Sequence, residues 1–212
     1  MPAHHHTLPF RLLAIALTLA AAAGPDPARA AETTYIVDPE HTYPSFEADH
    51  LGGLSVWRGK FNRTTGQITL DKVAGTGSVD VQIDMSSVDF GNDKMNEIAR
   101  GDMLFETGKH PQARYRGQLA AFKDGKPTAV EGTLSLHGVD QPLRLVIASF
   151  KCMPHPQHKR ELCGADAHGT FQRDAFGMAA GKDYGFDMAV DLRIQVEAVA
   201  SPDSKPGQAA AD

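Results

Sequence analysis

Residues 78–85 read SVDVQIDM. Val79, Val81, Ile83 and Met85 fall on one side of this run, and Ser78, Asp80, Gln82 and Asp84 on the other. Successive side chains of an extended chain point to opposite faces, so a period of two describes a strand with one dry and one wet face. Residues 187–198, DMAVDLRIQVEA, repeat the pattern, with Met188, Val190, Leu192, Ile194 and Val196 sharing a face. Further strands are predicted at 34–37, 45–50, 55–61, 66–70, 113–119, 129–136, 143–150 and 165–173. Turn-forming stretches separate several of them, at 62–66, 123–127 and 137–142.

One stretch breaks the alternation. Residues 92–101, NDKMNEIARG, open on a capping Asn and close on Gly, the punctuation of a short helix. A further helical turn is expected over 102–105. Met95, Ile98, Ala99, Met103 and Leu104 would form its apolar face, either covering an end of the sheet or packed on its outside. Many antiparallel strands, each dry on one face, close into a barrel or stack as a sandwich. The strand pattern does not choose between these.

The N-terminus bears on compartment. Arg11, an apolar run from Leu12 to Ala23, a Gly-Pro break and Ala28-Arg29-Ala30 describe a secretory signal peptide over 1–30, cut near Ala30. The run is short of the roughly 20 apolar residues that a membrane-spanning helix needs. His4, His5 and His6 fall within this segment. The domain proper is expected over 31–200, with a small, polar, disordered tail over 201–212. Removing Arg11, Arg29 and Asp26 from 21 basic and 26 acidic residues leaves 19 and 25, a net charge of −6 with no basic cluster. That speaks against a nucleic-acid partner or an anionic membrane surface. The expected product is an exported protein that does not span a membrane.

Export also bears on residues 150–164, FKCMPHPQHKRELCG, which hold both cysteines, Cys152 and Cys163, with His155 and His158 between them. The four could ligate zinc, or the cysteines could pair and staple a loop. An oxidising compartment favours the disulfide, and the spacing matches no common zinc pattern. No metal and no cofactor are expected. Asp38, His41 and Ser45 lie close in sequence, but a triad is defined by geometry, and no catalytic residues are assigned. His50, His110, His137 and His168 are scattered without ligand spacing. Arg173-Asp174 reads as a salt-bridged corner before a bend.

Nearly the whole of residues 31–200 resembles the YceI family of polyisoprenoid-binding, lipocalin-like periplasmic proteins. The resemblance is carried by YIVDPEH (35–41), FEADHLGGL (46–54), RGKF (58–61), GDMLF (101–105) with KHP (109–111), VEGTLSLHGV (130–139), RDAFGM (173–178) and VDLRIQVEA (190–198). Departures are Thr42-Tyr43-Pro44, where Pro44 suggests a break or an edge, and the segment between the cysteines. The resemblance implies an all-β fold, an extended eight-stranded antiparallel barrel with a short helical insertion and a long apolar tunnel. It implies binding of an isoprenoid lipid or a quinone-type molecule. The function expected on that footing is binding, storage or transport, without enzymatic activity; a second copy of the chain is a further candidate partner. The expected lining is Phe46, Phe61, Ile68, Leu70, Val79, Val81, Ile83, Met85, Leu134, Leu136, Phe171, Phe186, Val190 and Leu192, none of them ionisable. Composition alone leaves a hollow and a filled barrel evenly matched. The alternatives are therefore a filled barrel serving as an interaction module, and an enzyme acting on an isoprenoid lipid.

Overall fold

Each alternating run becomes a strand in the computed structural model, which describes Met1 and residues 32–204. The expected signal peptide, Met1 aside, and the expected tail beyond residue 204 lie outside the described residues. The strands are β1 (Thr33–Val37), β2 (Tyr43–His50), β3 (Ser55–Phe61), β4 (Thr64–Asp71), β5 (Thr76–Asp84), β6 (Val88–Asp89), β7 (Gln112–Ala120), β8 (Ala129–Leu136), β9 (Val139–Pro154), β10 (Glu161–Gln172) and β11 (Ala189–Ala200). One helix, α1 (Asp93–Arg100), lies between β6 and β7.

The hydrogen-bonded order β1-β4-β5-β7-β8-β9-β10-β11 returns to β1, closing an antiparallel barrel of eight strands. Closure removes the unpaired edges that an open sheet would expose. The last strand serves two neighbours. Its C-terminal part pairs with β1, from Tyr35 opposite Ala200 to Val37 opposite Ala198, and its earlier part pairs with β2, from Val190 opposite Ala48 to Gln195 opposite Tyr43. From β2 the wall continues through β3 to β6. The break expected near Pro44 is the Asp38–Thr42 excursion between β1 and β2, and Pro44 sits just inside the resumed strand opposite Ile194. A proline is tolerated there because it is close to the strand start.

Two apolar clusters follow from the inward faces. The larger joins Phe46, Phe61, Ile83, Met85, Tyr115, Leu134, Leu143, Phe176 and Val190; the smaller joins Tyr35, Leu70, Cys163 and Ala198. Gly59 is required by this packing. It pairs with Phe46, whose ring lies across it, and a Cβ at Gly59 would come within 2.5 Å of that ring.

The helix starts where the capping signal lies: Asn92 Oδ1 accepts from the amide of Met95 at 3.0 Å, satisfying an otherwise orphaned donor. Eight residues are too few to be helical alone in water, so α1 depends on its packed face, where Ala99 is fully buried. The helical turn expected over 102–105 is not formed. The chain turns there instead, with the amides of Leu104 and Glu106 both donating to the carbonyl of Gly101.

Strands β9 and β10 run well past their expected ends, and this changes the setting of the cysteines. Cys152 and Cys163 face each other in register across the β9–β10 pair, with Cα atoms 4.0 Å apart, and form a disulfide. The bridge is therefore a rung within the ladder, where a staple at the base of a loop was expected. Its Cys163 end packs with Tyr35 and Leu70. Replacing both cysteines by Ser is expected to lower unfolding free energy by about 2–3 kcal/mol, the chain-entropy magnitude for a short loop. Urea denaturation of the double variant measures this, and peptide mapping without reductant shows the bridge itself.

Candidate functional site

The barrel is hollow. A cavity of about 550 Å³ runs through its interior, in the size range of small-molecule sites. All fourteen residues expected as lining do line it, from Phe46 and Phe61 in the β2–β3 wall, through Val79, Val81 and Ile83 on β5, to Val190 and Leu192 on β11. Period two explains twelve of them, which occupy the inward register of their strands; Met85, just past the end of β5, and Phe186, in the segment before β11, lie outside the strands.

The lining also contains residues that strand alternation could not single out. Met95 and Ile98 of α1 and Met103, Leu104 and Phe105 of the following turn all face the cavity. The 92–105 insertion therefore covers the interior, and the alternative of a helix packed on the outside does not hold. Phe105 is held by an aromatic cluster, its ring centroid 5.5 Å from Phe61 and 6.4 Å from Phe46, with Phe90 5.4 Å from Phe46. Phe105→Ala is expected to destabilise the fold by about 2–3 kcal/mol and to speed release of any bound chain at least about tenfold, since it opens the cover. A fluorescent-lipid release assay at equal folded fraction checks this, and an unchanged release rate would show that the cover does not gate.

The wall is not wholly without polar groups. Two lining residues are charged, Asp49 and Arg173. The corner expected of Arg173-Asp174 is salt-bridged through Lys182, with Arg173 engaged elsewhere. Asp174 accepts from Lys182 Nζ at 2.7 Å, while the buried Arg173 turns inward and donates to the carbonyls of Met178 at 2.7 Å and Ala180 at 2.6 Å. Burial lowers the Arg173 pKa from its ordinary value, as expected of a cation withdrawn from water. Asp49 accepts from the amides of Asp187, Gly52 and Gly53, led by Asp187, and these bonds hold its carboxyl below the usual range. Arg173 thus folds the 173–180 segment onto itself, and Asp49 ties the segment's far end at Asp187 to β2 beside the cavity. Tyr115 also faces inward and donates its hydroxyl to the carbonyl of Leu143 at 2.9 Å. Desolvation pushes its pKa up, so it stays neutral. Thr64 Oγ1 is buried in the lining with no protein partner.

The remaining chemistry-bearing residues lie elsewhere. His41 Nδ1 contacts Asp38 Oδ2 at 2.8 Å on the surface, an ion pair that raises the His41 pKa, but Ser45 Oγ donates to the carbonyl of Tyr43, so no triad is assembled. His50 stacks on Trp57 with centroids 4.2 Å apart. His168 is exposed on the polar face of β10. His155 and His158 lie 4.4 Å apart by ring centroid between β9 and β10, and the paired cysteines are not available to them as ligands. The fold does bring His110 and His137 together, with Glu106. Among the described residues no helix is long and apolar enough to cross a membrane.

The chain resembles known proteins in sequence and in fold. The chain is 33% identical over 186 residues to a UPF0312 protein of Pectobacterium carotovorum, covering 87% of this chain and 93% of that one. A UPF0312 protein of Vibrio parahaemolyticus is 30% identical over 136 residues, covering 63% of this chain and 68% of the relative. Among solved structures, BcnA of Burkholderia cenocepacia superposes with a TM-score of 0.61 at 20% identity, over 76% of this chain and 98% of that one. A polyisoprenoid binding domain from Saccharophagus degradans, implicated in plant cell wall breakdown, superposes with a TM-score of 0.57 at 19% identity, over 80% and 99%. These likenesses describe the fold. The YceI-like domain family matches residues 35–200, nearly all of the described chain. With its closed eight-stranded ring, its covered apolar interior and this match, the chain belongs to the YceI-like family.

Proposed function

We propose that this protein is an exported carrier or store for an isoprenoid lipid, or for the isoprenoid tail of a quinone, held in the barrel. The observation that carries the reading is the hollow interior: about 550 Å³, walled almost entirely by hydrocarbon side chains and covered by Phe105 and its neighbours. An apolar cavity of this kind stabilises a flexible hydrocarbon chain through the area it removes from water. The polyisoprenoid binding domain from Saccharophagus degradans shares the fold, which supports the same class of ligand. A filled barrel acting only as an interaction module has no such cavity. An enzyme acting on the lipid would need a reactive polar group at the cavity. Arg173 spends two donors on backbone carbonyls and Asp49 is engaged by three amides, so neither reads as an acid or base. The periplasm is the compartment that the cross-strand disulfide and the signal-like N-terminus both favour. A homodimer is compatible with this reading, and light scattering distinguishes it from a monomer. Native mass spectrometry of protein isolated from its own host, followed by lipid extraction, tests the function. A co-purifying apolar chain is expected; protein that carries none and takes up none overturns the proposal.

A further inference from the structure

Beside the cover, two turns converge on a group of ligating side chains. Glu106 and His110 lie four residues apart on the tight turn that leads from the cover into β7. Its backbone is held by amides of Lys109 and His110 donating to the carbonyl of Glu106, at 2.8 and 3.0 Å. His137 comes from the β8–β9 turn. We propose that Glu106, His110 and His137 form a binding site for a first-row divalent cation of the zinc type, which clasps the cover to the β8–β9 turn.

The geometry supports this in three ways. First, Nε2 of His110 and Nε2 of His137 each lie 3.9 Å from Oε2 of Glu106, and ligand atoms of all three residues lie within 4.8 Å of one another. A tetrahedral zinc with bonds of about 2.0–2.1 Å holds its ligands about 3.3 Å apart, so the two 3.9 Å pairs need close by only about 0.6 Å. At 3.9 Å neither histidine makes a hydrogen bond to the carboxylate.

Second, His137 is oriented as a ligand. Its Nδ1 lies 3.1 Å from the carbonyl oxygen of Phe176, which can only accept. Nδ1 must therefore carry a proton, and in the neutral ring the lone pair is then on Nε2. That Nε2 is buried and has no protein partner. A buried acceptor without a donor is costly, and a cation would satisfy it.

Third, the surroundings are shaped for close approach. The His110 ring lies over Gly138, where a Cβ would stand 3.2 Å from its Cε1. His137 and Gly138 both have positive φ, of 53° and 78°, which aims the His137 side chain back toward the cover. Lys109 Nζ occupies Oε1 of Glu106 at 2.5 Å and leaves Oε2 to the histidines. Two imidazoles and one carboxylate suit zinc and its neighbours, and leave a coordination position for water or a small anion. The assignment stands whether or not the cavity holds a lipid.

Cobalt(II) serves as the spectroscopic probe. The full chain is used with His4→Gln, His5→Gln and His6→Gln, so that the N-terminal run cannot compete. One equivalent of cobalt is expected to bind with visible d–d bands of four- or five-coordinate character, and zinc should displace it. His110→Gln and His137→Asn should each weaken binding by more than about a hundredfold, beyond the 10–100-fold that loss of an outer-shell partner costs. Asn tolerates the left-handed turn at 137, so that variant should keep the fold, and far-UV circular dichroism checks this. Should it not fold, Glu106→Gln and His110→Gln decide the matter. His155→Gln with His158→Gln should change nothing. Bound cobalt should slow amide exchange over residues 101–110 at least about tenfold. Absence of micromolar binding, or binding that disappears with His155 and His158, overturns the site; unchanged exchange with cobalt bound overturns the clasp.

Discussion

Isoprenoids of increasing length, titrated into delipidated protein, are expected to bind at least about tenfold more tightly for each added five-carbon unit, until the cavity is full. Burying one unit contributes about 4 kcal/mol gross, at roughly 0.8 kcal/mol per methylene. Ordering the chain and losing its free translation cost about 4–15 kcal/mol, most of it charged to the first units. Short isoprenoids therefore bind weakly and long ones tightly, since each 1.4 kcal/mol is a factor of ten. Added salt should change little. The two charged lining residues are of opposite sign, and no cluster of one sign marks the cavity. Affinity that is flat with length, or that collapses in salt, would leave the proposed hydrocarbon site without support.

The second large effect is expected from a charge placed in the wall. Val81 and Ile83 occupy the inward register of β5, and Ile83 is 8% exposed. Ile83→Asp should lower unfolding free energy by about 3–5 kcal/mol, because it removes packed hydrocarbon and buries a carboxylate with no partner. Val81 is less tightly enclosed, so Val81→Asp should cost less stability while weakening lipid retention by more than about a hundredfold. Gln82, between them, lies on the opposite face across from Arg114. Gln82→Glu should change stability by less than about 0.5 kcal/mol and leave retention intact. Equal effects at 81 and 82 would contradict the assignment of inward and outward faces. Denaturation curves and lipid retention measured on the same preparations separate the two readouts.

This contrast between neighbours also marks what can be read along the chain. Alternation is local information. The dry face of SVDVQIDM is visible without knowing what it faces, and so are those of the other strands that supply the lining. The capping Asn92 and the terminating Gly101 of α1 are local too, because a cap is a bond between near neighbours. Strand ends were less legible. Residues 139–142 belong to β9 although 137–142 read as a turn, and 151–154 belong to it although the run was expected to end at 150, because pairing with β8 and β10 supplies partners that local preference does not report.

Other features needed the folded chain. Whether the barrel is hollow depends on how eight inward faces sum around a closed ring, a volume that no single strand reports. The cover was ambiguous for the same reason: Met95, Ile98 and Met103 are equally apolar on either side of a wall. Arg173-Asp174 read as a salt-bridged corner, but the partners were not legible: Lys182 pairs with Asp174, and carbonyls of Met178 and Ala180 claim Arg173, a choice set by the bend of the 173–180 segment. The cysteines pair across a ladder because β9 and β10 extend on either side of them. Glu106, His110 and His137 carry no ligand spacing, since His137 reaches the other two only through the β7–β8–β9 register. The sequence by itself determined which residues are dry, which are wet and where the chain can turn, because these follow from side-chain chemistry and a period of two. Closure, cavity, cover and the convergence of distant polar groups were decided by the tertiary structure, because they arise from hydrogen bonds and packing between residues far apart in the chain.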